Sequence, residues 1–184
     1  MTAATASSIL DNRHSGRYAA SMASAPHGLA QLRWLVAEVP ARLARIDDLQ
    51  AANKPEPTRW SRKEELGHLV DSAANNHVRL VRVQQETKPH LPGYAQDHWV
   101  AAHAYQDMSW AAICDAWLVL NRLLLRVAEL APAAAWERTC RIVGVPHTLA
   151  DDQAPPVTLG YVLDDYVDHL RHHLYHLGVA TDEL

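Results

Sequence analysis

DYVDHLRHHLYHL, residues 165–177, brings His169, His172, His173 and His176 into little more than three helical turns. On a helical wheel advancing about 100° per residue, Val162, Asp165, His173 and His176 fall within about 40° of His169. His172 and Tyr166 flank that stripe at about 60°, and Leu163, Leu170 and Leu174 lie to one side at roughly 100–140°. The histidines therefore border the apolar face instead of opposing it. His169 and His173 stand one turn apart, the spacing at which two imidazoles on one helix face can share a metal ion. His172 and His176 repeat that spacing about 60° further round, so the two pairs cannot both be ideal for one ion.

Read outward from this stretch, the helix starts near Thr158 and stops at Gly178, a residue suited to the left-handed cap of a helix end. Three further helices precede it. Leu29, Leu32, Val36, Val39, Leu43 and Ile46 recur in steps of three and four, a helical seam with Pro40 inside it, where a kink or break is expected. A proline-containing linker, QAANKPEPTRW (residues 50–60), follows. Ser61 and Glu64 form an S-x-x-E capping box opening a helix to about Glu86. TKPHLPGYAQDHW (residues 87–99) reads as a loop, with a short helix over 97–104. Ile113, Trp117, Leu120, Leu124 and Val127 mark the third long helix, beginning near Asp107 or Ser109 and ending before Pro132. WERTCRIVGVPHTLADDQAPPV (residues 136–157) is too broken for a helix and suits a short strand pair. The fold class expected is all-α, a four-helix bundle with irregular connecting loops.

The bulk properties narrow the function classes. Of 184 residues, 48% are hydrophobic and 21% charged, as in an ordinary globular protein able to bury a core. A net charge of −4 supplies no basic field, so nucleic acid is not the expected partner. No apolar run approaches the ~20 residues of a membrane helix. Cys114 and Cys140 stand apart with no CxxC, which fits the cytoplasm. Residues 1–25, rich in Ala and Ser, read as a flexible N-terminal tail, and residues 26–184 as one domain.

The second helix carries a polar stripe of its own. With His68 at zero, Ser72, Asn75, Arg79 and Arg82 fall within about 40°, while Leu66, Leu69, Val70, Ala73, Leu80 and Val81 cluster on the other side. A solvated face would account for a generic polar stripe, but such faces are usually built of Glu, Lys and Gln. His, Ser, Asn and Arg are the vocabulary of ligands and substrate contacts. Three neutral imidazoles with an open fourth position also suit a catalytic zinc-type ion. On residue chemistry alone His169 and His173 need one distant histidine, and with twelve in the chain its identity stays open.

RWSRKEELGHLVDSAANNHVRLVR (residues 59–82) resembles the second-helix signature of the DinB/YfiT-like superfamily, and DYVDHLRHHLYHL its C-terminal H-x-x-x-H helix. PGYAQDHWV and AWLVLNRLLL match the YfiT-like branch in order and spacing, so the resemblance spans roughly residues 30–178. It implies a DinB/YfiT-type four-helix bundle holding a divalent metal, Zn or Ni, on His68, His169 and His173. It further implies a transferase joining a low-molecular-weight thiol, bacillithiol- or mycothiol-like, to an electrophile. A metal-dependent hydrolase on the same site and a non-catalytic metal-binding stress protein are the alternatives. A homodimer is implied as well.

Other residues gain roles beside such a centre. Arg79, about three turns from His68 on its stripe, would hold a carboxylate or phosphate of the thiol cofactor. Asn75 would orient substrate, and His172 would serve as a general base. Asp71 or Asp165 would accept the free ring N–H of a ligand histidine. Tyr94 and Trp99 could wall the pocket, and Cys114 reads as a small packed residue.

Overall fold

The structure, a computed structural model, describes residues 25–143 and 155–179. Most of the expected tail and the middle of the broken segment, residues 144–154, lie outside the described residues. Among the described residues, six α-helices run in the order α1 (His27–Leu43), α2 (Asp48–Ala52), α3 (Arg62–Gln85), α4 (Gln96–His103), α5 (Trp110–Leu130) and α6 (Leu159–His176). α1, α3, α5 and α6 form the four-helix bundle. α3 packs on α5 and α6, and α1 packs on the same two from the opposite corner. Leu32, Leu35, Leu66, Leu69, Ile113, Trp117, Leu163 and Leu170 meet in the core with essentially no exposure.

The capping chemistry acts as its spacing demands. Ser61 Oγ accepts from the Glu64 amide at 3.2 Å, and Glu64 Oε2 accepts from the Ser61 amide at 2.8 Å. α6 ends on Gly178 at φ +74°, with Gly178 donating to the Tyr175 carbonyl and Val179 to that of Leu174. α1 has no side-chain cap from its own N-cap, Pro26; instead Asp164 of α6 accepts from the Gly28 amide at 2.7 Å. A Cβ on Gly28 would lie 2.8 Å from that same oxygen, so the contact needs glycine.

Three details differ from the sequence expectation. α1 runs through Pro40 and ends one turn later, where Ala44 donates to the Pro40 carbonyl, leaving Ile46 beyond the helix. α2 occupies the start of the expected linker, nucleated by a second capping box between Asp47 and Gln50. Its Asp48 accepts from the Trp110 amide at 2.7 Å and from buried Lys63 at 2.9 Å, tying the starts of α3 and α5 together. Those two donors, the amide first, hold the Asp48 carboxyl below its ordinary pKa. The buried stripe of α5 is Ile113, Trp117, Asn121, Leu124 and Ala128, one position off the expected seam at its C-terminal end. Asn121 is accommodated there because it accepts from Tyr166 Oη at 2.6 Å and donates to the Trp117 carbonyl at 2.8 Å.

The expected strand pair is present as β2 (Thr139–Val143) and β3 (Val157–Thr158), antiparallel with Thr139 opposite Thr158. A third strand in the expected loop, β1 (His90–Pro92), pairs parallel with β2 in the register His90–Arg141, Leu91–Ile142. This pairing fixes the segment that delivers Tyr94 to the end of the bundle.

Gly67 shows how close the packing is. A methyl group there would stand 2.2 Å from two carbons of the Tyr105 ring. That ring cannot swing away freely, because it is buried and its hydroxyl donates to Asp71 at 2.7 Å. Gly67→Ala is expected to cost about 1–3 kcal/mol of overpacking, read as a lower urea midpoint at unchanged slope.

Candidate metal centre

α3 and α6 pack side by side, and their facing polar stripes are where His68, His169 and His173 meet. Each offers a ring nitrogen, and these atoms all lie within 4.8 Å of one another. His68 Nε2 and His169 Nε2 stand 3.0 Å apart. The three ring centroids are separated by 5.0, 4.7 and 4.4 Å. The α3 stripe is buried at its start, where His68 is 1% and Ser72 3% exposed, and opens toward Asn75, Arg79 and Arg82, which are half-buried.

The remaining ring nitrogens are occupied differently. His173 Nδ1 and Glu65 Oε1 are 2.6 Å apart, which leaves Nε2 of His173 for the centre. Ser72 Oγ lies 3.4 Å from His169 Nδ1. His68 Nδ1 is buried with no hydrogen-bond partner among the described residues. Burial, reinforced by the neighbouring His173, pushes His68 from 6.5 down to about 4. Burial first and then His173 and His68 push His169 down to about 3. Both imidazoles are therefore uncharged at neutral pH. Burial would raise the Glu65 carboxyl, but the His173 bond and the surrounding imidazoles hold it below its ordinary value.

This donor set fits a divalent transition metal. Two uncharged imidazoles bring their Nε2 atoms together, and a third histidine has its far nitrogen held by a carboxylate, the usual support for a ligating imidazole. The same burial has a measurable consequence without metal. An unfolded His68 takes up its proton as pH falls through 6.5, whereas the folded one does so only near 4. The unfolded state binds more protons across that window, so metal-free protein loses stability as pH falls from 6.5 toward 4. His68 alone is expected to contribute roughly 3 kcal/mol to that loss, measured by urea unfolding at steps between pH 7.5 and 4.5.

The other singled-out residues differ in what holds them. Arg79 is half-buried; it donates to Asn76 Oδ1 at 3.2 Å and to the Pro92 carbonyl at 3.1 Å, and its charge acts on His169. Asn75 donates to the Asp71 carbonyl one turn back at 2.9 Å. His172 is exposed on the outer flank of α6, its ring 4.3 Å from His176 and 5.1 Å from His173. Asp71 does not support a ligand histidine: it accepts from Tyr105 and lies 3.3 Å from His103. Asp165 has no hydrogen bond to any of the three histidines.

The residue that holds His173, Glu65, was missed by the sequence reading, although its place one turn before His68 on α3 puts it on the same side. The aromatic wall is fuller than Tyr94 and Trp99 alone. Trp60 lies 5.1 Å from the His68 ring, Tyr94 6.4 Å from it, and Trp99 5.2 Å from Tyr94. Burial pushes the Tyr94 hydroxyl up to about 12, so it remains a proton donor at neutral pH.

A four-helix bundle with three histidines from two adjacent helices converging under an aromatic wall is a recognisable class. The chain belongs to the DinB superfamily, whose family model matches residues 31–177. Among solved structures it is similar to YfiT from Bacillus subtilis, a probable metal-dependent hydrolase with an unusual four-helix bundle topology. That likeness has 19% identity and a TM-score of 0.67, covering 82% of this chain and 83% of that one. It is also similar to the mycothiol-dependent maleylpyruvate isomerase, at 14% identity and a TM-score of 0.64, over 84% of this chain and 60% of the isomerase. No curated protein matches the chain.

Proposed function

We propose that the chain is a metal-dependent enzyme that joins a low-molecular-weight thiol, of the bacillithiol or mycothiol kind, to an electrophile. The observation that carries this reading is the convergence of ring nitrogens of His68, His169 and His173 between α3 and α6, with His68 and His169 uncharged at neutral pH. These three would hold a Zn or Ni ion, with Glu65 fixing the orientation of His173. When bound, such an ion lowers the pKa of the thiol or water it carries. Arg79 would pair with an anionic group of the thiol, since its contacts to Asn76 and Pro92 leave guanidinium N–H groups over. The Asn75 side-chain oxygen and the Tyr94 hydroxyl are the neutral groups available to orient a substrate. Trp60 and Tyr94, with Trp99 behind Tyr94, would wall one side of the centre. Likeness to a mycothiol-dependent enzyme of the same fold supports the thiol part of the reading.

Hydrolysis on the same centre is the second reading, favoured by the likeness to YfiT. The two separate on one experiment. Metal-loaded protein is given an electrophile panel and an ester and amide panel, each with and without added thiol. Turnover that requires thiol supports transfer, thiol-independent turnover supports hydrolysis, and none with either removes both. The homodimer belongs to this proposal too: Val119, Leu123 and Leu130 are exposed along one line of α5 and offer the apolar stripe a partner would cover. Sedimentation of wild type against Leu123→Glu tests it, with dissociation expected in the variant.

A further inference from the structure

On the His173 side, the inner three-histidine centre adjoins a cavity of about 260 Å³. Trp60, its ring 5.1 Å from that of His68, and Glu65, which holds His173 Nδ1, both line it, so the cavity begins where the metal donors end. Asn53, Arg59, Arg62 and His176 contribute to the rest of its wall. Ligand pockets commonly measure about 300–1,000 Å³, so this one suits a compact ligand and not a large one.

The charge of the cavity favours an anion. The Arg59 guanidinium has no hydrogen bond or ion pair among the described residues. Arg62 meets only neutral acceptors, with Nε 3.3 Å from the Leu177 carbonyl and Nη1 3.5 Å from that of Gln50, and keeps N–H groups over. Against these two positive charges stands one carboxylate, Glu65, already bonded to His173. Glu64 on the same turn does not line the cavity and is paired with Lys54 at 2.8 Å. Two cations beside one carboxylate attract a monoanion, while a dianion is repelled more strongly by Glu65. The planar fork of a guanidinium matches the two oxygens of a carboxylate. Arg79 lies on the other side of the centre. Along α3, Arg62 precedes His68 by roughly 9 Å and Arg79 follows it by roughly 16 Å, at 1.5 Å per residue.

We propose that the cavity at Arg59 and Arg62 holds the carboxylate of the electrophile, a small monocarboxylate, while Arg79 on the far side serves the thiol. This rests on the thiol-transfer reading, in which two substrates must approach one centre and therefore need two places. A ligand anchored on the two arginines runs along Trp60 towards His68, which brings its far end to the centre.

Saturation-transfer NMR titration of the full chain with crotonate, methyl crotonate and inorganic phosphate tests this. Metal-loaded wild type is expected to bind crotonate in preference to the uncharged ester and to phosphate. Arg59→Gln and Arg62→Gln each raise the crotonate Kd about tenfold, the loss expected for a charged hydrogen bond. His68→Ala, deprived of metal, still binds crotonate, and that binding still weakens with Arg59→Gln. The two readings thus fail separately: wild type without metal but with arginine-dependent crotonate binding supports the carboxylate subsite and removes the transfer reading. Saturating bacillithiol is expected to leave crotonate in place, and its displacement overturns the assignment to the electrophile. No binding of crotonate to wild type, or binding indifferent to both arginine variants, overturns the subsite. So does an ester or phosphate that binds as tightly as crotonate, or binding that falls only with Arg79→Gln.

Discussion

His68→Ala protein is expected to leave purification without stoichiometric metal, while wild type carries one ion on the inner centre. His68 contributes one of three converging donors, and the ring sits at 1% exposure where water cannot easily replace it. Loss of groups that merely orient a ligand already costs about 10–100-fold in metal affinity, so removal of a ligand should exceed that. Elemental mass spectrometry on tag-free protein, followed by chelator competition, gives the answer, and His169→Ala should behave alike. Circular dichroism before the assay separates loss of metal from loss of fold. Metal retained at the wild-type ratio in both folded variants would remove the centre and the enzyme reading with it.

The second large effect is on stability and lies away from the histidines. Trp117 is fully buried on α5, and its truncation to alanine is expected to cost about 3–5 kcal/mol through lost burial and the cavity left behind. Trp117→Phe should cost much less. The indole Nε1 is buried with no hydrogen-bond partner among the described residues, so phenylalanine removes an unsatisfied donor along with some volume. The contact from Asn121 to the Trp117 backbone carbonyl, and from Tyr166 to Asn121, persists in both variants. Urea unfolding at pH 7.5 measures the pair; equal losses would show that the donor has a partner.

What could be read from the sequence was whatever is encoded locally. Helix spacing, the Ser61–Glu64 box and Gly178 each act within a few residues, and each appears in the fold where its chemistry requires. The i, i+4 pair His169–His173 was legible on the same ground. His68 was legible only as the middle of a polar stripe, and the family resemblance singled it out. The features missed are mostly those made between distant segments. Asp164 caps α1 from 136 residues away, Glu65 reaches His173 across 108, and β1 exists only because β2 lies beside it. Asp71 misled for the opposite reason: its place one turn from His68 suggested a partner on the centre, but its Oδ1 is held by Tyr105 and neither oxygen has a hydrogen bond to the three histidines. The overlooked α2 is a local miss, since its Asp47–Gln50 box was present in the sequence.

The inner donors are split between α3 and α6, with 101 residues separating His68 from His169. During synthesis on the ribosome the first half of the chain emerges with only one of the three converging donors, His68. The pair on α6 comes out about a hundred residues later and already has the spacing to pick up an ion on its own. Capture by the α6 pair before that helix docks, and delivery of the ion to His68 as it docks, is the order of events this division favours. Occupancy of the proposed centre would then report that α6 has docked against α3.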